Sequence, residues 1–188
     1  MTASFYLFDV DHGQCAALRL PTGRWCIFDV GCTSTFSPIQ WIVSHSMQGI
    51  NALAALVNFR FLKATVSHLH GDHLADYHNL FQYSPEFLKT VDVDRDYLND
   101  CYATCADASA KARVNAFLQN YNAGFSPAIS NPDYGGAVIR ELCLPVTVSR
   151  SVGGAANPRV NNASGVTRID VYGNSILLCG AREKEAWA

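Results

Sequence analysis

Residues 67–78 read SHLHGDHLADYH, and six consecutive positions within them hold four groups able to ligate a metal ion: His68, His70, Asp72 and His73. The preceding FLKATVSH, residues 61–68, is apolar and β-branched with no polar alternation beyond Lys63, the pattern of a strand covered on both faces. The cluster therefore begins at a strand end. In extended backbone, residues two apart point the same way, so His68 and His70 can converge on one ion. Gly71 permits a sharp turn that returns Asp72 and His73 to the same mouth. Asp72 can then cap a helix through HLADYHNLFQY. The arrangement can serve one ion or two neighbours.

Imidazole and carboxylate together suit zinc first, and also manganese or iron. A zinc ion with an open position brings the pKa of bound water to about 7, which yields a hydroxide nucleophile at neutral pH. Asp72 is the candidate catalytic residue: it can bind a second ion, orient that water or take its proton. One histidine at a strand end is usually a satisfied polar residue, but three of the chain's six histidines share this hexapeptide. His78 falls on the following helix and outside the site, and His45 on a solvated helix face. His12, in a DHG turn, fits either role.

Working outward, SFYLFDVD, QCAALRL and RWCIFDV read as an antiparallel meander of three strands separated by HG and PTG turns. Pro38 stands in a first helical turn before IQWIVSHSM, and a second short helix is expected across ALAALVNF. FLKTVDV reads as a strand, and the run from Asp96 to Tyr121 as one long helix. The Gly, Pro, Ser and Asn content of GFSPAISNPDYGG, residues 124–136, marks a loop. Beyond it VIRELCLPVTV, GVTRIDVY and NSILLCG read as strands, the last two joined by a tight turn at Gly173-Asn174.

The chain has 188 residues, 49% of them hydrophobic and only 16% charged, against about 25% charged in ordinary soluble domains. That length fits one domain with its own core. A net charge of −2 provides no basic field for a polyanion, so charge does not argue for nucleic acid. The opening residues alternate as a strand, without the pattern of a signal peptide, and no apolar run has membrane-spanning length. A soluble, cytoplasmic protein is expected. The seven cysteines are odd in number and lack CxxC spacing, which favours free, buried thiols. Cys101 and Cys105 share a helix face, and that bland account outweighs weak metal binding.

HLHGDH fits the His-x-His-x-Asp-His motif of the metallo-β-lactamase superfamily, and FDVDHGQCAALRLPTGRWCIFDVG resembles the N-terminal meander of that fold. The chain is most similar to the metallo-hydrolase domains of competence-type DNA-uptake proteins. The resemblance implies an αββα sandwich of α/β class, with zinc as cofactor at His68, His70, Asp72 and His73. It makes Asp29 a residue that supports the metal loop without ligating; a turn cap is the reading from the residue alone. Residues 1–123 would be the N-terminal half carrying the motif, and 137–180 a partial C-terminal sheet.

VNNASGVTRIDVYGNSILLCGA resembles the strand pair that in the family ends in Gly-Asp, the Asp bridging both ions. Here Gly180 is followed by Ala181, and no histidine follows His78. The resemblance thus implies a shortened domain with reduced metal affinity, whose second sheet seeks self-association or a partner chain. Cys179 is placed to replace the carboxylate, although its apolar run favours the core; Asp170 is the other candidate replacement. Three functions follow: a hydrolase using a zinc-bound hydroxide on an unidentified substrate, a catalytically degenerate scaffold or interaction subunit, and a structural metal domain, the last ranked lowest. Arg140, Arg168 and the sparse lysines form no phosphate-binding cluster by spacing.

Overall fold

The computed structural model describes residues 2–46, 59–91, 93–124, 132–143 and 155–180. The expected helix over ALAALVNF apart from its last residue, Phe59, together with Ala181 and most of the 124–136 loop, lies outside these residues. The architecture is mixed α/β. One sheet has the order β1 (Ser4–Leu7), β2 (Ala16–Arg19), β3 (Trp25–Phe28), β4 (Lys63–Thr65), β5 (Phe87–Lys89). Its first three strands form the antiparallel meander, whereas β3, β4 and β5 run parallel. Parallel neighbours need crossovers; α1 (Pro38–Ser46) lies between β3 and β4, and α2 (Tyr77–Gln82) between β4 and β5. The second sheet is the antiparallel set β6 (Val138–Leu142), β7 (Val166–Val171) and β8 (Asn174–Leu178).

Strand alternation divides the apolar side chains into two cores. Ala17, Trp25, Ile27, Ala64 and Val66 join Ile39, Ile42, Leu80, Tyr97, Phe117 and Val160 from the helices. On the other face Ala16, Leu18, Cys26 and Phe28 meet Ile139 and Ile169 of the second sheet. Helices and the second sheet thus cover opposite faces of the first sheet. Each large apolar side chain so buried contributes about 1.5–3 kcal/mol. The outer face of the second sheet exposes Val138, Leu142 and Leu177, and a fourth layer is not among the described residues. None of the described helices is long and apolar enough to cross a membrane.

Local chemistry shifts three expected features. The single helix over 96–121 is two: α3 (Arg95–Thr104) ends at Cys105 in extended backbone, and α4 (Ala108–Gly124) starts afresh. Asp107 causes the restart, its Oδ1 accepting the Ala110 N–H at 2.8 Å as an N-cap does. The helix expected directly after Asp72 begins only at Tyr77, because Val30 N–H takes the His73 carbonyl at 2.9 Å and residues 71–76 stay in turns. The β7–β8 turn is Tyr172-Gly173, with φ of 49° and 79° and Val171 paired to Asn174. Two positive φ values in succession are what a type I′ hairpin demands, so the turn lies one residue earlier than the Gly-Asn pair suggests. α5 (Ala156–Asn162), unforeseen, docks on α3 through a two-pronged Arg159–Asp100 pair.

The β4 segment is covered on both faces as expected, and its lysine is buried too. Lys63 Nζ donates to Glu141 Oε2 at 2.8 Å and Thr65 Oγ1 to Glu141 Oε1 at 2.5 Å, with Lys89 Nζ 3.3 Å from the same carboxylate. Glu141 on β6 therefore ties the two sheets together.

Candidate metal centre

The chain leaving β4 carries Ser67, His68, Leu69 and His70 into the site, and long-range bonds hold each turn of this loop. Gly165 N–H donates to the Ser67 carbonyl at 2.7 Å, and Leu69 N–H to the Tyr97 hydroxyl at 3.2 Å. Arg113 Nη1 donates to the Gly71 carbonyl at 2.7 Å. Gly71 opens the expected turn without using left-handed backbone. Its bare Cα instead faces α4, where a Cβ would sit 3.4 Å from that of Ala110. Gly13 matters more: a Cβ there would come within 2.7 Å of the Asp72 carbonyl, so the DHG turn can press against the loop only as glycine.

The three motif imidazoles come together. Ring centroids lie 4.6 Å apart for His68 and His70, and 4.0 Å for His68 and His73. His68 Nε2 faces His70 Nδ1 at 3.0 Å. Two nitrogens on one tetrahedral zinc, each about 2.05 Å from it, stand about 3.3 Å apart, so this pair needs only a small opening. His70 Nε2 is buried without a partner. Asp72 lines the adjoining cleft, and its charge reaches both His70 and His73. Even so, among the described residues no three His, Cys, Asp or Glu side chains form a finished ligand set for one ion.

Asp29 is the brace of the cluster. It is 2% exposed and holds left-handed backbone at φ 54°, a conformation costly for a residue with a side chain and tolerated best by Asn and Asp. Its Oδ1 accepts Ser67 N–H at 2.7 Å, its Oδ2 accepts Ser67 Oγ–H at 2.8 Å, and His73 Nδ1 lies 3.1 Å from Oδ2. Asp29 thus engages two segments of the loop and is more than a turn cap.

Burial, reinforced by the charges of His73 and His70, drives His68 well below the usual imidazole range. Burial also lowers His70, against the pull of Asp72. For His73 burial acts downward as well, but the contact and charge of Asp29, with Asp72, outweigh it and raise the ring. His68 and His70 are therefore neutral near pH 7, the state in which imidazole ligates.

The site opens into a cleft of about 730 Å³ whose walls include His70, Asp72, His12, Asp11, Cys32, Cys105 and Arg113. His12 thereby joins the cleft, for which the DHG turn was the sequence signal; Tyr97 and Arg113 had none. His78 is exposed on α2 against Tyr77, and His45 is exposed against Trp41. Asp170 is not at the site: on the outer face of the second sheet it receives Arg140, Arg168 and Ser175. Every cysteine is free, but only Cys15, Cys26 and Cys101 are buried, and Cys143 is exposed. Cys105 parts from Cys101 at the helix end and donates to its carbonyl at 3.2 Å. Cys179, read as a core thiol, is half-buried and belongs to neither apolar core. Gly180 does reach the site, since a Cβ on it would stand 3.2 Å from Ser67 Cβ. No protein-family model matches the chain, and no curated protein matches it significantly.

Proposed function

We propose that this chain is a metal-dependent hydrolase of the metallo-β-lactamase type, with zinc as the preferred ion and the cytoplasm as its setting. The observation that carries the reading is the facing pair His68 Nε2 and His70 Nδ1, 3.0 Å apart beneath a cleft. His68 and His70 would hold the ion, with Asp72 and His73 completing or extending the site toward a second ion. Bound zinc supplies Lewis acidity and a water acidified to neutral pH. Asp72, at the cleft wall, would serve as the proton acceptor, while Asp29 would brace His73 and the loop.

A second reading is favoured by a different observation: Val138, Leu142 and Leu177 are exposed together with the outer face of the second sheet. That face suits an interaction subunit that has the fold and performs no turnover.

Elemental analysis of the purified full chain, beside a panel of ester, amide and phosphodiester substrates, separates the two. The hydrolase reading expects stoichiometric zinc, zinc-dependent turnover, and loss of both in His68→Ala with His70→Ala. A folded chain that retains no zinc from a zinc-containing medium would overturn it. Zinc without turnover would favour the interaction subunit.

A further inference from the structure

Ser67 immediately precedes the first histidine, and its hydroxyl lies between two polar groups. Ser67 Oγ is 2.8 Å from Asp29 Oδ2 and 2.9 Å from His68 Nδ1. A hydroxyl has one proton to give and two lone pairs, whereas a carboxylate only accepts. The serine proton therefore goes to Asp29, and the serine oxygen must accept from His68. That requires a proton on His68 Nδ1. The lone pair of the ring is then left on Nε2, the nitrogen that faces His70 Nδ1 at 3.0 Å.

Asp29 meets His73 directly but as a charge contact, its Oδ2 lying 3.1 Å from His73 Nδ1 without hydrogen-bond alignment. One carboxylate thus stands by the Nδ1 side of two rings, and only His73 is within its own reach. Serine spans the other gap. All three partners are withdrawn from water, with His68 at 0%, Asp29 at 2% and Ser67 at 7% exposure, so solvent does not compete for these bonds.

We propose that Ser67 is a positioning residue: its hydroxyl relays the hydrogen-bonding demand of Asp29 to His68 and thereby selects Nε2 as the ring's ligand atom. This rests on the metal-centre reading for its purpose, but the tautomer it sets belongs to the metal-free chain. The backbone roles of the residue are separable from this one. Ser67 N–H holds Asp29 Oδ1 at 2.7 Å and Ser67 O receives Gly165 N–H at 2.7 Å, and Ser67→Ala preserves both.

The test uses the metal-free full chain labelled with nitrogen-15 in histidine, at a pH where the rings are neutral. Long-range proton–nitrogen correlations report which nitrogen of His68 carries the proton, and competition with a chelating dye reports zinc affinity. The wild type should show His68 protonated on Nδ1. Ser67→Ala should lose that preference and bind zinc more weakly, on the order of tenfold, while its backbone spectrum remains that of a folded chain. Ser67→Thr, which keeps the hydroxyl, should restore the wild-type tautomer and affinity. A wild-type His68 protonated on Nε2, or an unchanged tautomer in folded Ser67→Ala, would overturn the proposal. Should Ser67→Ala not fold, the wild-type tautomer decides alone. A tautomer that shifts as expected in a chain with no zinc affinity would uphold the relay and refute the hydrolase.

Discussion

Two buried polar clusters border β4, one built on Glu141 and one on Asp29, and they are finished to different degrees. Around Glu141 both carboxylate oxygens are occupied, and Lys63 and Thr65 each end on them. Around Asp29 the carboxylate is equally engaged, yet the imidazoles of the cluster are not: His70 Nε2 and His73 Nδ1 are buried without a hydrogen-bond partner, and His68 Nε2 has only His70 Nδ1 at 3.0 Å. Folding stability is gained by closing a buried network and lost by leaving one open. The Glu141 cluster is thus a strut between sheets, and the Asp29 cluster a socket. Backbone geometry agrees, because Asp29 alone of the two acids adopts left-handed φ.

The comparison breaks most visibly if the strut is removed. Glu141→Ala leaves Lys63 buried without its partner, and unfolding free energy from denaturant titration should fall by about 3–5 kcal/mol. Zinc affinity of the molecules that remain folded should stay near wild type. A joint collapse of stability and zinc binding in folded protein would mean that β4 couples the clusters into one.

A smaller effect in stability and a larger one in binding is expected at the socket. Asp29→Asn retains a residue suited to left-handed backbone and should cost stability about 1–2 kcal/mol. Its zinc affinity, measured by competition, should fall on the order of 10–100-fold. Unchanged affinity would show that the carboxylate shapes the turn and nothing more.

Acid should separate the clusters most gently, by where each responds. Burial acts to raise Glu141, but Lys63, Thr65 and Lys89 outweigh it and hold the carboxyl below its ordinary value of 4.5. A depressed carboxyl contributes stability above its unfolded pKa and loses it as pH falls through the folded one, so the strut weakens only below 4.5. In the metal-free chain, His68 and His70 are depressed from 6.5, so acidification below 6.5 favours the unfolded chain, which accepts the protons they refuse. His73, raised from 6.5, opposes them; its contribution is present below 6.5 and fades as pH rises through its folded value. Thermal melts across pH should therefore show a loss beginning near 6.5 that zinc suppresses, and a second below 4.5 that zinc leaves unchanged.

What the sequence disclosed follows from distance along the chain. The meander, β4 and the histidine cluster are written in consecutive residues, where strand alternation and ligand type can be read directly. Asp29 and Ser67 are 38 positions apart, and Lys63 and Glu141 are 78 apart; no local pattern announces such pairs. Lys63 looked like a break in an apolar strand because its counterion stands in the other sheet. The helix division at Asp107 was legible in principle, since an acid four residues before Lys111 can cap as well as decorate a helix. The late start of α2 was not, because it depends on Val30 taking a carbonyl from a distant segment.

The left-handed backbone at Asp29 also restricts how this position can change over generations. A single nucleotide change converts an aspartate codon into one for asparagine or glycine, the replacements this backbone accepts most easily, and both discard the charge. Glutamate keeps the charge but is poorly suited to that backbone. Every easy mutational exit from position 29 thus leads to a chain that still folds while its histidines lose their brace, which makes this residue a natural point for a lineage to retire the socket and keep the scaffold.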